Sequence, residues 1–265
     1  MTDKQKLRYC NVKLNHIYHG DCLEVLRTFP EGVIDLTVTS PPYDNLRTYK
    51  GYTFNFEEIA KELYRVTKQG GVVVWVVNDA TIKGSETGTS FRQALFFMEC
   101  GFNLHDTMIW KKTNPFNFGS NYCYTQCFEY MFVFSKGKPK TINLIHDRPL
   151  KNPGMKFRQT RRGDDDFMEY DDKIVTLKKV GRRLNVWEMP VQSIRWHSAI
   201  FPEQLAEDHI LSWSNEGDLV LDPMCGSGTT CKMAKLNGRN YIGIDIAEEY
   251  VEMARRRVEE VSPCR

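Results

Sequence analysis

The amino-acid sequence predicts an α/β fold in which helices cover both faces of a doubly wound, mostly parallel sheet. Two short apolar runs, Val33–Val38 and Val72–Val77, have the length and continuity of buried parallel strands. Between them, Phe56–Thr67 carries apolar side chains at helical spacing on one face, and Gly70-Gly71 is predicted to end this helix. Near the end of the chain, a glycine turn at Gly226–Gly228 joins a third apolar run to a helical pattern, an arrangement typical of such sheets.

Length and composition narrow the class of protein. The chain has 265 residues, 41% of them hydrophobic, and a net charge of +2, which fits one large domain or one domain with an insertion. No run approaches about 18 apolar residues and Met1–Arg8 is polar, so we expect neither a membrane span nor a signal peptide. Of the eight cysteines only Cys123 and Cys127 are close together, and the histidines show no metal-ligand spacing. We therefore expect reduced cysteines, no metal site and a cytoplasmic protein.

The segment Ser40-Pro41-Pro42-Tyr43 ends the first apolar run. Each proline lacks an N–H group, so the segment stops the strand and keeps its carbonyl groups free to accept hydrogen bonds. The Ser40 hydroxyl adds an acceptor, and Tyr43 adds a flat ring beside it. Acceptors next to a stacking ring suit an exocyclic amino group on a planar base. The same residues also fit a Pro-Pro turn that caps a strand, with Tyr43 in a packing role.

A second segment, Asp218–Thr230, runs from a short apolar strand through the glycine turn into a predicted helix at Cys231–Leu236. Glycines at such a turn let the backbone approach a ligand closely. The next predicted strand ends at Asp245, a carboxylate about 17 residues past the glycines that could accept both hydroxyl groups of a ribose. The order of strand, turn, helix, strand and acid predicts a ligand that contains adenosine.

Together the two segments resemble the β class of amino DNA methyltransferases, which use S-adenosyl-L-methionine. In that family a Ser/Asp/Asn-Pro-Pro-aromatic tetrad holds the target amine, and it precedes the cofactor turn in the β class, as Ser40–Tyr43 precedes Gly226–Gly228 here. Met224 stands where the family usually has Phe, a tolerable apolar replacement. The resemblance implies a doubly wound, circularly permuted Rossmann-like methyltransferase sheet with an inserted target-recognition region.

The permuted order has two consequences for the fold. The N-terminal strand, within Val12–Gly20, supplies the third strand of the cofactor half, which the C-terminal segment lacks. The strands that end at Ser40 and Asp222 become neighbours at the point where the strand order reverses. Asp21 then lies near the cofactor adenine; an N-cap of the following helix explains the same residue, and both roles can hold together.

The resemblance assigns roles to individual residues. The tetrad is catalytic: Ser40, Pro41, Pro42 and Tyr43. A larger group is expected to bind the cofactor: Asp21, Phe201, Pro202, Asp222, Met224, Gly226, Ser227, Gly228, Thr229 and Asp245. For Trp110, the resemblance suggests the target-base pocket, and core packing is the alternative. Asn78 and Asp79 fit either a cleft contact or a turn pair.

The charge distribution divides the chain into three segments. Residues 136–195 contain 15 Lys and Arg against 8 Asp and Glu, a net charge of +7, which leaves −5 for the rest of the chain. We expect residues 1–135 to form the catalytic half, 136–195 a basic target-recognition insertion that is ordered over Asn152–Asp166 only with DNA, and 196–265 the cofactor half. A solvated basic loop is the alternative for the middle segment. The predicted DNA contacts are Lys111, Arg158, Arg161, Arg162, Lys178, Lys179, Arg182 and Arg183.

The implied reaction is direct transfer of the methyl group of S-adenosyl-L-methionine to N4 of a cytosine flipped out of double-stranded DNA. A serine in the first tetrad position goes mostly with cytosine in this family, and adenine N6 is the alternative target. A non-catalytic DNA-recognition subunit that binds the cofactor is the alternative of another class. The partners to consider are double-stranded DNA, a second copy of the chain and a cognate restriction endonuclease, with no membrane.

Overall fold

The structure is a computed structural model that describes residues 12–42, 54–115, 123–162, 168–194 and 197–262. At 161–162, 168–172, 193–194 and 197–200 only the backbone is described. Among the described residues, no helix is long and apolar enough to cross a membrane, and no group of three or more His, Cys, Asp or Glu side chains could hold a metal ion.

Six helices and sixteen strands form within the described residues. The helices are α1 (Cys22–Arg27), α2 (Phe56–Val66), α3 (Thr89–Glu99), α4 (Glu203–Trp213), α5 (Thr229–Leu236) and α6 (Glu248–Glu259). The strands are β1 (His16–His19), β2 (Ile34–Thr39), β3 (Thr67–Val77), β4 (Thr81–Ile82), β5 (Ser85–Glu86), β6 (Asn103–Lys112), β7 (Phe128–Ser135), β8 (Arg148–Pro149), β9 (Lys156–Arg162), β10 (Met168–Thr176), β11 (Val180–Gly181), β12 (Val186–Met189), β13 (Gln192–Ile194), β14 (His197–Ile200), β15 (Leu219–Asp222) and β16 (Asn240–Asp245).

Eight strands form the central sheet, in the order β1-β16-β15-β2-β3-β7-β6-β12. Neighbours from β1 to β3 are parallel, β7 is antiparallel to both of its neighbours, and β12 is parallel to β6. Strand β15 pairs with β2 through Val220 opposite Leu36 and Leu221 opposite Thr37. This order confirms the doubly wound, permuted sheet, with β1 completing one half and the order reversing between β15 and β2.

Helices cover the two faces of this sheet. On one face, α2 and α3 bury a cluster that includes Leu63, Trp75, Phe97 and Phe134, all fully buried. The Trp75 indole donates to the Gln93 Oε1 atom at 2.8 Å, which satisfies a buried polar group. Because strand side chains alternate between faces, the intervening residues of β3 face the other side, which α4, α5 and α6 cover. The two apolar layers fix the strand ends that carry the tetrad and the turn.

One local prediction was wrong at the start of β3. The sequence places the end of α2 at Gly70-Gly71, but the helix ends at Val66 and both glycines lie within β3. A Cβ atom at position 71 would lie 3.0 Å from the backbone oxygens of Asp35 and Lys68. Glycine is therefore required there because two backbones approach closely, and it does not mark a helix end.

The predicted basic insertion contributes to both parts of the fold. Residues 144–184 form a compact unit of their own, whereas residues 1–143 and 185–265 form the other. Strand β12, which lies inside the predicted insertion, is the last strand of the central sheet. Strand β9 lies within the stretch predicted to be ordered only with DNA, and residues 163–167 lie outside the described part. The division at 135/136 and 195/196 stays a prediction.

Candidate active site

The tetrad lies at the carboxyl end of β2, in the middle of the sheet. Pro41 is buried, and Ser40 and Pro42 are half-buried. Tyr43 lies outside the described residues, so its role stays a prediction. Strands β1, β16, β15 and β3 run parallel to β2, so the residues that follow them lie at the same edge of the sheet as the tetrad, and those after β3 and β15 are its neighbours.

A buried hydrogen bond joins the tetrad strand to the strand of the glycine turn. The Thr39 hydroxyl donates to the Asp222 Oδ1 atom at 2.7 Å, and both residues are buried. The same oxygen accepts the backbone N–H of Met224 at 3.2 Å, and the Thr230 hydroxyl donates to the Val38 carbonyl at 3.1 Å. Thr39 and Asp222 are 183 positions apart in the sequence, and this hydrogen bond holds them together immediately before Ser40.

Burial changes the acidity of Asp222. Loss of water raises the pKa of its carboxyl group from 3.8 to about 6, although hydrogen bonds from Thr39 and the Met224 N–H act in the opposite direction. The charged form is therefore less favoured in the folded protein than in the unfolded chain.

The glycine turn is built around Asp245. The backbone N–H of Gly226 donates to one carboxylate oxygen at 2.8 Å, and that of Ala247 donates to the other at 2.9 Å. Gly226 and Gly228 have φ values of +48° and +79°, which favour glycine. A Cβ atom at Gly228 would lie 2.7 Å from the Ala254 Cβ atom, so the turn also packs tightly on α6. Burial raises the pKa of Asp245, and the two backbone hydrogen bonds oppose this rise.

Asp21 lies beside this carboxylate, as the permuted order requires. The N–H group of Gly20 donates to the Asp245 carbonyl at 2.9 Å, which brings the ends of β1 and β16 together. The Asp21 Oδ1 atom accepts the N–H groups of Leu23 and Glu24 at 2.9 and 3.1 Å. The N-cap interpretation of Asp21 is therefore confirmed, and its role toward a cofactor stays a prediction.

An ion-pair network that the sequence did not predict surrounds the turn. Phe201 and Pro202 are buried immediately before α4, and Glu203 follows them. The Glu203 Oε1 atom accepts Lys232 Nζ at 2.6 Å and Arg257 Nη2 at 2.7 Å. Burial raises the pKa of Glu203, but the hydrogen bonds and charges of Lys232 and Arg257 outweigh it and lower the pKa.

The Arg257 guanidinium also holds the turn directly. Its Nη1 atom donates to the carbonyl and the hydroxyl oxygen of Ser227, at 2.8 and 2.7 Å. Three segments, the start of α4, the turn and α6, are thereby joined. The acid and its two cations are 29 and 54 residues apart, so no local pattern in the sequence could have indicated the network.

Trp110 and the residues after β3 have structural roles. Trp110 is buried and donates to the Met189 carbonyl at 3.1 Å, which supports core packing. Asp79 accepts the Ser90 N–H at 2.9 Å and so fixes the start of α3. The Asn78 amide donates to the Phe128 carbonyl at 3.2 Å, and this bond links the end of β3 to the start of β7.

The predicted DNA contacts fall into two groups. Lys111, at the end of β6, pairs with Glu188 at 2.9 Å, and both side chains are about half exposed. The others belong to the unit 144–184, where Arg158, Lys178, Lys179 and Arg182 are exposed and Arg183 pairs with Asp147. The side chains of Arg161 and Arg162 lie outside the described residues.

We expect Asp222→Asn to remove a contribution to the unfolding free energy that the natural protein has at low pH and loses at neutral pH. A carboxyl whose pKa rises on folding stabilises the folded state below its unfolded pKa, and this contribution is lost as pH rises through about 6. The unfolding free energy of the natural protein, relative to the variant, should fall by roughly 1–3 kcal/mol between about pH 4.5 and 7.5. Urea unfolding at several pH values measures it.

Thr39→Val serves as the matched variant. Because it removes a hydrogen bond that lowers the pKa of Asp222, it should move the same transition to higher pH. A difference between the natural protein and Asp222→Asn that stays constant with pH would contradict the account.

Known proteins share both the sequence and the fold. A family model described as DNA methylase matches residues 34–256. The orphan methyltransferase M.BamHII of Bacillus amyloliquefaciens is 59% identical over 249 residues, which cover 90% of this chain and 90% of that protein. The Type II methyltransferase M.MthZI of Methanothermobacter thermautotrophicus is 30% identical over 264 residues, which cover 86% of this chain and 72% of that protein.

Solved structures agree with these relatives. TTHA0409 from Thermus thermophilus, in complex with S-adenosyl-L-methionine, has a TM-score of 0.64 and 25% identity, and the match covers 92% of this chain and 93% of that one. The PvuII cytosine-N4-specific DNA methyltransferase has a TM-score of 0.65 at 23% identity over 91% of this chain and 85% of that one, a likeness of fold. The family match begins at the first residue of β2 and includes the tetrad, the turn and Asp245. The chain therefore belongs to the DNA methylase family of N4/N6 amino-methyltransferases.

Proposed function

We propose that this protein methylates the exocyclic N4 atom of a cytosine within a specific sequence of double-stranded DNA, using S-adenosyl-L-methionine. The observation that carries the proposal is the Thr39–Asp222 hydrogen bond, because it joins the tetrad strand to the strand of the glycine turn. Ligands in open α/β sheets bind beyond the carboxyl ends of strands where the strand order reverses, and this bond lies at that point.

The residues at the turn fit S-adenosyl-L-methionine. Each Asp245 oxygen accepts one backbone N–H and keeps a further acceptor site, so the carboxylate can also take the two ribose hydroxyls. The turn at Met224–Thr229, with Asp222 beneath it and Phe201 and Pro202 beside it, would hold the methionine part, and Asp21 would lie near the adenine. When bound, the cofactor supplies an electrophilic methyl group, and no covalent intermediate with the protein is required.

The tetrad would prepare the target amine. The lone pair of an exocyclic amine is delocalised into its ring, which makes the amine a poor nucleophile. Hydrogen bonds from its N–H groups to the Ser40 hydroxyl and the Pro41 carbonyl would localise that pair and orient it. Positioning of this kind can lower a barrier by about 7–11 kcal/mol. The target base leaves the duplex to reach the tetrad, and Tyr43 stacks on it.

The choice of base rests on the first residue of the tetrad. Serine at position 40 favours cytosine by family resemblance, and the PvuII neighbour is cytosine-N4-specific by its description. Adenine N6 is the alternative, because both bases present the same kind of amine. The intact tetrad argues against the second class of function, a non-catalytic recognition subunit.

The unit 144–184 is the proposed target-recognition region. It contains 11 Lys and Arg against 7 Asp and Glu, so its net charge is +4. The exposed side chains of Arg158, Lys178, Lys179 and Arg182 suit phosphate neutralisation, and Arg161, Arg162 and Arg183 add to the charge. Lys111 contributes less, since Glu188 already neutralises it.

We also propose that a second copy of the chain covers helix α3. Phe91, Leu95 and Met98 are 51%, 59% and 45% exposed and form one apolar stripe at helical spacing. Antiparallel pairing of this helix with its copy would place Arg92 of each copy near Glu99 of the other. The reaction takes place in the cytoplasm, and the name of the Bacillus amyloliquefaciens relative, an orphan methyltransferase, favours action without a cognate restriction endonuclease.

The dimer is tested by Leu95→Lys. A charge in the centre of the stripe should convert the dimer to a monomer without unfolding it, as measured by sedimentation equilibrium. Leu211→Lys, at an exposed leucine of α4, is the control and should leave the dimer intact. A natural protein that sediments as a monomer would show that the stripe has another role.

The activity is tested by Ser40→Ala. DNA incubated with the natural protein and labelled S-adenosyl-L-methionine should yield N4-methylcytosine by nucleoside mass spectrometry. The variant should lose at least about 100-fold in rate, the usual effect of removing one group that orients the reacting centre, while cofactor and DNA binding persist. Ser85→Ala, in the exposed β4–β5 hairpin, should retain full activity.

The identity of the methylated nucleoside distinguishes the alternative functions. N6-methyladenine would keep the fold and the site but reject the choice of base. No methylated nucleoside, with cofactor binding intact, would favour the non-catalytic subunit, and full activity in Ser40→Ala would reject the site.

A further inference from the structure

Tyr124 is the most exposed large hydrophobic side chain in the described part of the chain. It is 100% exposed, whereas the next, Ile174, is 67% exposed. The described tryptophan side chains are all buried, and the other tyrosines whose side chains are described are buried or half-buried. Water contact over a whole aromatic ring is unfavourable, so a ring displayed in this way suits a binding role.

The two residues at the end of the segment that carries Tyr124, Gln126 and Cys127, are anchored to three elements. The backbone N–H of Lys112 donates to the Cys127 carbonyl at 2.6 Å. The Gln126 side chain donates to Glu86 Oε1 at 2.9 Å and accepts from the Asn78 amide at 3.4 Å. The exposed ring therefore lies two residues before a stretch that these elements hold in place.

The sheet register places this segment near the tetrad. Thr39 of β2 lies opposite Trp75 of β3, and Val77, the last residue of β3, lies opposite Tyr130 of β7. The segment before β7 therefore leaves the sheet at the edge where the tetrad lies, two strands away. Two inter-strand spacings amount to about 10 Å. Both features belong to the same compact unit.

The charges beside the segment favour contact with bases over contact with phosphates. Residues 123–127 carry no charged side chain. The two lysines at the end of β6 are paired, Lys111 with Glu188 and Lys112 with Glu129, at 2.9 and 2.6 Å. An uncharged aromatic ring beside neutralised lysine pairs and the Glu86 carboxylate suits contact with stacked bases better than contact with phosphates.

We propose that Tyr124 enters the duplex and occupies the space that the target base leaves when it turns out toward the tetrad. This inference rests on the proposed function. Removal of one base breaks two stacking contacts, and an inserted ring restores contact with the neighbouring base pairs. Tyr124 is thus a positioning residue that favours the flipped state, while Ser40–Tyr43 hold the extruded base.

The proposal is tested with two duplexes that carry the sequence selected by the natural protein from random DNA. In one the target base is paired, and in the other it faces an abasic position, so it needs no unpairing. Single-turnover methylation is measured for the natural protein, Tyr124→Ala, Tyr124→Phe and Leu104→Ala. Leu104 is an exposed leucine at the opposite end of β6 and serves as the matched control.

Tyr124→Ala should slow methylation of the paired duplex by about 5- to 150-fold, the value of one base–aromatic stack. It should leave the duplex with the abasic position nearly unchanged, and Tyr124→Phe should restore the paired rate. An unchanged rate on the paired duplex would overturn the proposal and assign the ring to a protein partner. Equal slowing on both duplexes would also overturn it, since it would indicate a general loss of binding.

A second readout does not depend on methyl transfer. Fluorescence of 2-aminopurine at the target position itself rises when that base leaves the stack on protein binding. The natural protein should raise it and Tyr124→Ala should not, and equal increases would overturn the proposal. If the natural protein methylates neither duplex, the proposed function fails, while this readout still decides whether Tyr124 opens the stack.

Discussion

The buried hydrogen bond between Thr39 and Asp222 is the interaction on which the site depends. Strands β2 and β15 pair over only two residues each, and the Thr39–Asp222 bond joins their carboxyl ends beyond that pairing. A buried carboxylate without its donor would cost about 1–3 kcal/mol or more, so both residues constrain one another. Because Thr39 precedes Ser40 and Asp222 precedes the glycine turn, this bond also fixes how far the tetrad lies from the turn.

The network around Glu203 extends this constraint to the other side of the turn. Arg257 binds both Glu203 and Ser227, so the C-terminal helix determines where the turn lies relative to the start of α4. The Glu203 Oε1 atom accepts from both Lys232 and Arg257, whose side chains are only 20% and 16% exposed, so these ion pairs are stronger than exposed surface pairs. The turn is thus held from below by Asp222, from one side by Asp245 and from another by Arg257.

Patterns that are local in sequence predicted most of the elements and their order. The apolar run at β3, the helix that begins at Phe56 and the cap at Asp21 follow from strand length, helical spacing and N-cap chemistry. The adjacency of β2 and β15 followed from the order of two motifs. Contacts between distant side chains could not be predicted, because nothing near Glu203 in the sequence points to Arg257. For the same reason Gly71 was read as a helix end, and the exposure of Tyr124 was visible only in the fold.

The most direct test of the account is hydrogen exchange with and without S-adenosyl-L-methionine, resolved by peptide. Binding of the cofactor should slow exchange in two segments, at the amides of residues 224–228 and at those of Thr39 and Ser40, although they are about 180 residues apart, since they form one site at the strand reversal. Slower exchange in only one of them would contradict the account. So would protection confined to the cleft at Asn15, Lys235 and Arg239, which lies at the opposite edge of the sheet.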